Sequence, residues 1–567
     1  MKRRRGFIPL RAAWAIPAFA VLTLVLGAWG WMDHGQDFPD SLYRAAAMFS
    51  YNDLYGGGVS TIDWRLKVGR WFGLAVVFSA AFAALGAVLQ ERVALTAARW
   101  LKQDVVVIGG ARTASAAFDA AQEAGKSVLW LGAPALGSTT LSALALPWPP
   151  ESNAKTVFEH CGDAEHILVA PEDDASAVAL ARAARRSAPT AYITVLMREA
   201  RLAEDAASTL NEARTRVLPQ AAISARSLNI DHPPFLLAQH FGHRRVHALI
   251  IGFGQVGQAI ARDLIINCRT SYLEKPHITV IDPRAKALGG VLRVRAPDLE
   301  ETAEFLFIEG EIGAGAISPD PAMIGRAMAE AGPITAAYIC LASDVAALST
   351  AGLLQSLLRT VEFGAAPIFV RLRDANTLAK QGGDLRGLDA LTPFGDLDSI
   401  LEACEFLSTA PDAAARAFNE AYRASLTPEV RDDPANRSAF PWDRLDETYR
   451  QADRDVVTHI PAKLASAGID PVYWRGVGGV PHPGHERLLF SNDAELEVLS
   501  ELEHERWNSQ RRMDGWRWDD IPKKDEHKRI HPSLVPYEQL ADDVKEWDRV
   551  KVRQTQTACW GPDAGKA

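Results

Sequence analysis

The sequence predicts an α/β protein: two N-terminal transmembrane helices, two doubly wound parallel-sheet domains, and a mainly helical C-terminal tandem. Three observations carry this. Two uncharged apolar stretches, residues 12–32 and 71–89, open the chain. Apolar strand-like runs then alternate with helical patterns from about residue 104 to 372, as parallel sheets covered by helices do. Beyond residue 412 the sequence is charged, aromatic and helical, and it repeats itself once.

The bulk properties bound the rest. A chain of 567 residues is too long for one core, so three or four folded units are expected. A net charge of −9 gives no sign of a nucleic-acid partner. Cys161, Cys268, Cys340, Cys404 and Cys559 are scattered, with no CxxC and no Cys/His cluster. That pattern supports neither a disulfide framework nor a metal site, and suits reduced thiols in a cytosolic body.

The first unit spans residues 1–102. Lys2, Arg3, Arg4, Arg5 and Arg11 precede the first apolar stretch, and Trp14, Trp29 and Trp31 lie near its ends. Its length suits a membrane span, and the tryptophans suit interface anchors. A signal peptide is the competing reading, but a second apolar stretch follows at 71–89 and no small-x-small cleavage site intervenes. Arg92, Arg99 and Lys102 come next. Basic residues outside both spans place the two termini in the cytoplasm and the chain in a cell inner membrane as a two-span protein. Between the spans, residues 40–49 have helical composition with Asp40 and Ser41 as its cap, and Gly56-Gly57-Gly58 follow. Span, short helix, glycine turn and span is the layout of a two-helix channel protomer. Asp53, Gly56, Gly57 and Gly58 are the pore candidates. The alternative is a plain linker between two anchoring helices.

Residues 246–411 hold the most informative motif. An apolar run from His247 to Ile251 leads into Gly252-Phe253-Gly254-Gln255-Val256-Gly257, then a helical pattern, then a second strand ending at Asp282. This is a dinucleotide-binding β-α-β pattern, and the domain is Rossmann-like. Gly252 permits the tight turn, Gly254 lets backbone approach a pyrophosphate, and Gly257 lets the helix pack closely. The helix N-terminus presents N–H groups to phosphates, and Asp282 is placed to accept from a ribose. Residues 103–245 repeat the plan in degraded form. Ala111 and Ala114 replace glycines of Gly109-Gly110-Ala111-Arg112-Thr113-Ala114, and Gly132 stands where the acid is expected.

Two spans followed by tandem units of this kind resemble the RCK or Trk-type NAD-binding domains below potassium channels and transporters. The resemblance covers about residues 103–372. It implies that Asp282 and the stretch Ala342-Ser343-Asp344 lie around an adenine nucleotide such as NAD(H), held as a regulator. The latter stretch is one residue shorter than the family pattern. The resemblance implies regulation of a membrane partner and no chemistry. An NAD(P)-dependent oxidoreductase would need a proton donor or acceptor beside the nicotinamide. None is evident at these strand ends, so no catalytic residue is assigned.

The C-terminal sequence divides into a degenerate unit (412–495), a complete one (496–554) and a loose tail (555–567). His504-Glu505-x-Trp507, Gly515-Trp516, His531-Pro532-x-Leu534-Val535-Pro536-Tyr537-x-x-Leu540, Lys545 and Asp548-Arg549 closely resemble the ryanodine receptor repeat (RyR) domain. In the earlier copy Trp442, Leu445, Arg450, Asp453 and Arg454 align without a gap with Tyr537, Leu540, Lys545, Asp548 and Arg549. Glu501, Glu505 and Ser509 share a helical face, and Trp507, Trp516, Trp518 and Tyr537 supply π surfaces. With Arg511, Lys528 or Arg529 on phosphate, these would suit a small nucleotide. Glu505, Trp507, Trp516, His531, Pro532 and Tyr537 are the candidate contacts; core packing or protein docking are the alternatives.

Together these features predict a membrane-anchored, oligomeric sensor-effector acting as a nucleotide-regulated ion channel or channel-like protein. Its expected partners are a small nucleotide, an inorganic ion, the lipid bilayer and further copies of itself. A non-conducting nucleotide receptor in a stress or defence pathway is the alternative, and an oxidoreductase the remoter one.

Overall fold

The computed structural model describes residues 10–50, 63–81, 102–133, 143–146, 161–310, 312–313, 316–317, 321–360, 366–373, 391–471 and 488–560. They fall into two compact units: residues 1–102 with 133–147, and residues 103–132 with 148–567.

In the first unit a helix Leu10–Asp33 is followed by a short helix Phe38–Ala47 and a third over 64–81. The short helix starts ahead of the expected residue 40. Asp37 is its cap, accepting the Asp40 N–H at 3.1 Å, and Pro39 sits in the first turn, where its missing N–H costs nothing. Two glycines let the helices approach. A Cβ on Gly27 would lie 2.7 Å from that of Ala45, and one on Gly30 would lie 2.5 Å from a methyl of Leu66. Trp31, Met48 and Leu66 form the buried centre. The outer faces carry exposed apolar side chains, among them Val21, Val25, Trp29, Trp71 and Phe78. No helix among the described residues is long and apolar enough to cross a membrane. The pore candidates Asp53, Gly56, Gly57 and Gly58 lie outside the described residues, as do residues 82–89 of the expected second span.

The second unit holds two sets of parallel strands with helices between them. In the first set β1 (Val105–Ile108), β2 (Val128–Leu131), β3 (His166–Val169), β4 (Tyr192–Met197) and β5 (Thr215–Pro219) run in the order β2-β1-β3-β4-β5. The second set is β6 (Arg245–Ile251), β7 (Glu274–Asp282), β8 (Glu304–Glu309), β9 (Ala336–Ile339), β10 (Ile368–Arg371) and β11 (Leu391–Phe394). These form a six-stranded sheet in the order β11-β10-β9-β6-β7-β8. Strand order reverses between β6 and β9, which is the doubly wound Rossmann arrangement. Side chains alternate between the faces. Ala248 and Ile250 enter one core, Leu249 and Ile251 the other. Burial on both faces explains why the strands read as unbroken apolar runs.

The C-terminal helices Ala413–Ser425, Glu447–Thr458, Asp493–Met513 and Asp542–Trp560 share one core, in which Phe418, Val456, Leu499 and Val552 meet. The duplication is visible in the backbone. A 3-10 turn Trp442–Arg444 precedes the helix from Glu447, and a turn Tyr537–Gln539 precedes the helix from Asp542 at the same spacing. Trp442 and Tyr537 are both buried.

The helix Gln255–Asn267 packs on the turn before it through Gly257, where a Cβ would lie 2.2 Å from the Gly252 carbonyl oxygen. That neighbour is backbone and cannot swing aside. Gly257→Ala is therefore expected to lower the unfolding free energy by about 1–3 kcal/mol, the usual scale of overpacking. A urea melt superimposable on wild type would refute this packing role.

Candidate functional site

The crevice at the carboxyl ends of β6 and β9 is built by one turn. Gly252 takes φ +90°, a left-handed conformation, and a Cβ there would lie 2.9 Å from Leu341 and 3.1 Å from the Cys340 carbonyl. Only glycine suits both the angle and the approach. Phe253 is fully buried, its ring 5.8 Å from Phe307 and edge-on to it. Gly254 follows as the exposed N-cap of the helix Gln255–Asn267, and a Cβ there would meet nothing within 4 Å. The helix N-terminus thus opens onto free space, and its leading N–H groups are available to an anion.

Asp282 stands beside this turn and organises it. One carboxylate oxygen accepts the Phe253 N–H at 2.9 Å, and the other accepts the Arg284 N–H at 2.8 Å. Each oxygen keeps a further lone pair for a ribose hydroxyl. Ala342 and Ser343 form the opposite, exposed lip. Ser343 starts the helix Asp344–Thr360, its carbonyl accepting the Ala347 N–H at 2.9 Å.

Asp344 has a structural partner, the Arg373 N–H, at 3.2 Å from both its oxygens. The first set of strands repeats this device. Asp174 lies as far beyond β3 as Asp344 lies beyond β9, and it accepts the Arg198 and Glu199 N–H groups at 2.9 and 2.7 Å. Each acid ties the start of one helix to the exit of the next strand.

Sequence reasoning missed two residues at this crevice. Arg371, at the end of β10, donates to the Leu341 carbonyl at 3.3 Å. Burial, then neighbouring Arg373, lowers its pKa. Gln255 bonds both carboxylate oxygens of Glu199 at 2.8 Å, so the helix start is braced on the first set of strands. Arg371 belongs to no motif, Gln255 fills a variable position of the glycine motif, and the partners are remote in sequence.

The equivalent turn of the first set is closed. A Cβ on Gly110, the N-cap of the helix Ala111–Glu123, would lie 2.8 Å from a carboxylate oxygen of Glu172. An acid of the chain itself stands at that helix N-terminus, where its charge complements the helix dipole. Trp130 donates to the Gly109 carbonyl at 2.9 Å.

The second candidate region lies in the C-terminal module. His504 is held on both ring nitrogens, by Asp548 at 3.1 Å and the Val535 carbonyl at 2.9 Å. Trp507 meets His531 edge-on with centroids 4.9 Å apart, Trp516 lies 6.1 Å from the same ring, and Arg511 stands 5.3 Å over Trp516. Burial, then Arg511, lowers the pKa of His531 to about 4. Trp507, His531 and Pro532 are half-buried, whereas Trp516 is only 9% exposed. Tyr537 is buried and donates to Glu497 at 2.9 Å. Glu505 pairs with Arg269 at 2.9 Å. Glu501 is exposed and Ser509 buried, so these two and Glu505 do not form one open acceptor face.

The Glu505–Arg269 pair is one of several contacts that dock the C-terminal tandem along the helix carrying the phosphate turn. Arg262 reaches Asp514 at 3.0 Å and Asp455 at 3.8 Å, and Arg226 also reaches Asp455, at 3.4 Å. Behind them Glu503 lies between Lys463 at 2.6 Å and Arg506 at 2.8 Å, all three fully buried.

Comparison with known proteins gives two results. Residues 490–560 match the RyR domain family. Solved structures similar to the chain include the GsuK channel bound to NAD, at 11% identity over 71% of this chain and 85% of that one, with a TM-score of 0.35. GsuK bound to ADP is similar at 11% identity over 70% and 97%, with a TM-score of 0.34. A dipicolinate synthase from Bacillus halodurans is similar at 10% identity over 53% and 94%, with a TM-score of 0.20. No curated protein matches the chain in sequence.

The burial of Trp516 yields a test of its role. Trp516→Ala in the full chain is expected to cost roughly 3–5 kcal/mol of stability, the range for a buried tryptophan. A chemical melt within about 0.5 kcal/mol of wild type would instead mark a surface position.

Proposed function

We propose that this chain is a membrane-anchored, oligomeric sensor-effector in which an adenine nucleotide, NAD(H) or a relative, bound at Gly252 to Asp282 regulates ion passage. The observation that carries the nucleotide reading is the uncovered helix N-terminus at Gly254, beside a strand-end acid at a switch point of a doubly wound sheet. The GsuK structures with ADP and NAD hold the same ligand class. Arg371 adds a cation beside the crevice. Binding here works by association alone. The histidines of this sheet, His247 and His277, are buried in the amino-terminal parts of β6 and β7, and burial lowers the pKa of His247 to about 4.

The membrane and ion parts rest on the first unit. Its basic flanks, the exposed apolar faces of two helices and the short helix between them suit a lipid-facing hairpin. A receptor that binds nucleotide and does not conduct is the second reading. Current through bilayers reconstituted with the full chain, with and without nucleotide, separates the two.

The site reading has its own test. Gly254 has φ −73° and open space before it. Gly254→Val is therefore expected to fold with a loss of no more than about 1 kcal/mol, the scale of a poorer N-cap, while blocking the pyrophosphate. Asp282→Ala is expected to weaken binding by about 1.5–3 kcal/mol, as for a charge-assisted hydrogen bond. Calorimetric titration with NADH and ADP decides it; wild-type affinity in both variants would remove the crevice as the site.

Topology is checked separately. A reporter fused after Ala567 is expected to be active in the cytoplasm, and activity confined to the far side of the membrane would overturn the orientation.

A further inference from the structure

A second anion site lies far along the chain from the phosphate turn. A small cleft lies between the starts of β4 and β5 and the degenerate C-terminal copy. Arg214, Arg216, Arg416 and Arg450 line it together with Trp442, and the only acid in the lining is Asp443.

The arginines are held in place by the fold. Arg450 is 3% exposed. Its Nε donates to the Trp442 carbonyl at 3.0 Å and its Nη1 to the Thr215 carbonyl at 3.5 Å, while its Nη2 has no hydrogen-bond partner among the described residues. The nearest carboxylate, Glu447, is 3.6 Å away. That acid and Asp412 both pair with Arg454. Arg416 donates from Nε to the Pro411 carbonyl at 3.0 Å and from Nη1 to Asp443 at 3.1 Å. Arg216 is 7% exposed; its Nη2 donates to the Cys404 carbonyl at 2.6 Å and its Nη1 lies 3.6 Å from Asp412. Arg214 takes φ +59°, a left-handed backbone uncommon outside glycine, and its guanidinium lies 5.1 Å over Tyr192.

Buried cations require a counter-charge, and removing charge from water is costly without one. Here three buried guanidinium groups, Arg216, Arg450 and Arg454, share the two carboxylates Asp412 and Glu447, and the lining adds Arg214 and Arg416 with only Asp443, which is half exposed. Burial lowers the pKa of Arg450 against the attraction of Glu447, with Arg454 and Arg416 adding to the effect. A planar guanidinium with free N–H groups is matched by phosphate and by carboxylate oxygens, and a phosphate carries enough oxygens to meet more than one guanidinium at once. We infer that this cleft binds a phosphoryl group, supplied either by inorganic phosphate or by a nucleotide, between the first set of strands and the Trp442 copy. The site is independent of the crevice at Gly252.

The test uses the full chain carrying Gly254→Val, so that the crevice cannot contribute. Inorganic phosphate and ADP are titrated separately by calorimetry at constant ionic strength. Phosphate is expected to bind. Arg416→Gln, at a partly exposed side chain, is expected to weaken it about tenfold or more, the effect of losing one charge-assisted hydrogen bond. Asp443→Asn removes the competing acid and is expected to tighten binding by about threefold, a screened surface-charge effect; a gain cannot come from misfolding. Should ADP bind more tightly than phosphate with the same response to both variants, the phosphoryl group belongs to a nucleotide. Equal or weaker ADP binding assigns the site to the free oxyanion. No phosphate binding, or binding that neither variant alters, overturns the proposal.

Discussion

The contact on which the architecture turns is the seating of the helix Gln255–Asn267. At its start Gly257 lies against the Gly252 carbonyl, so the phosphate turn and the helix form one rigid piece. Along its length Arg262 reaches Asp455 and Asp514, and just beyond its end Arg269 reaches Glu505. Asp455 is 1% exposed and is shared by Arg226, Arg262 and Gln451. Removing one partner from such a buried charge costs far more than an exposed pair is worth. The helix that faces the proposed nucleotide is therefore the helix that carries the C-terminal tandem. The proposed nucleotide at Gly254 would act on the tandem through this element to the extent that it bound two positions of the helix unequally.

Duplication has had opposite outcomes in the two sets of strands. The acid clip survives in both, at Asp174 and Asp344, each tying a helix start to the exit of the next strand. The phosphate turn does not. Around Gly254 the space is open, whereas Glu172 occupies the corresponding space at Gly110. The C-terminal pair also diverges. Tyr537 is anchored by Glu497, while Trp442 is surrounded by Arg416, Arg450 and Arg454 at 5.4, 6.0 and 5.8 Å. Both copies keep charge at this position, Tyr537 with Glu497 and with Lys545 5.0 Å over its ring, and the earlier copy collects more positive charge.

The interior of the tandem is unusually ionic. Glu503 is held between Lys463 and Arg506. Burial alone would raise the pKa of its carboxyl, but attraction to Arg506, then to Lys463, outweighs burial and keeps it well below the usual carboxylate range. Such a network contributes little net stability over an apolar core, but it penalises any packing that separates its members. Because Glu503 and Glu505 leave the helix Asp493–Met513 on different sides, one inward and one towards Arg269, that helix is fixed both to its own core and to the neighbouring domain.

Local features were legible in the amino-acid order. The runs at 105–108 and 247–251, the glycine spacing from Gly252 to Gly257 and the repeat of Trp442 in Tyr537 all declare themselves within short windows, because strand burial, turn angle and helix packing act over that range. Two strands were not legible, for a physical reason. β5 and β11 carry Arg216 and Pro393, which break an apolar run yet are tolerated in strands of limited pairing. Only the tertiary structure decided which chemical groups were already engaged. Asp344 is taken by Arg373, Glu505 by Arg269, Trp516 by the core, and the first phosphate turn by Glu172. Each of those pairings joins residues that lie far apart along the chain and meet only through the fold, and residue periodicity holds no information about a partner at that distance.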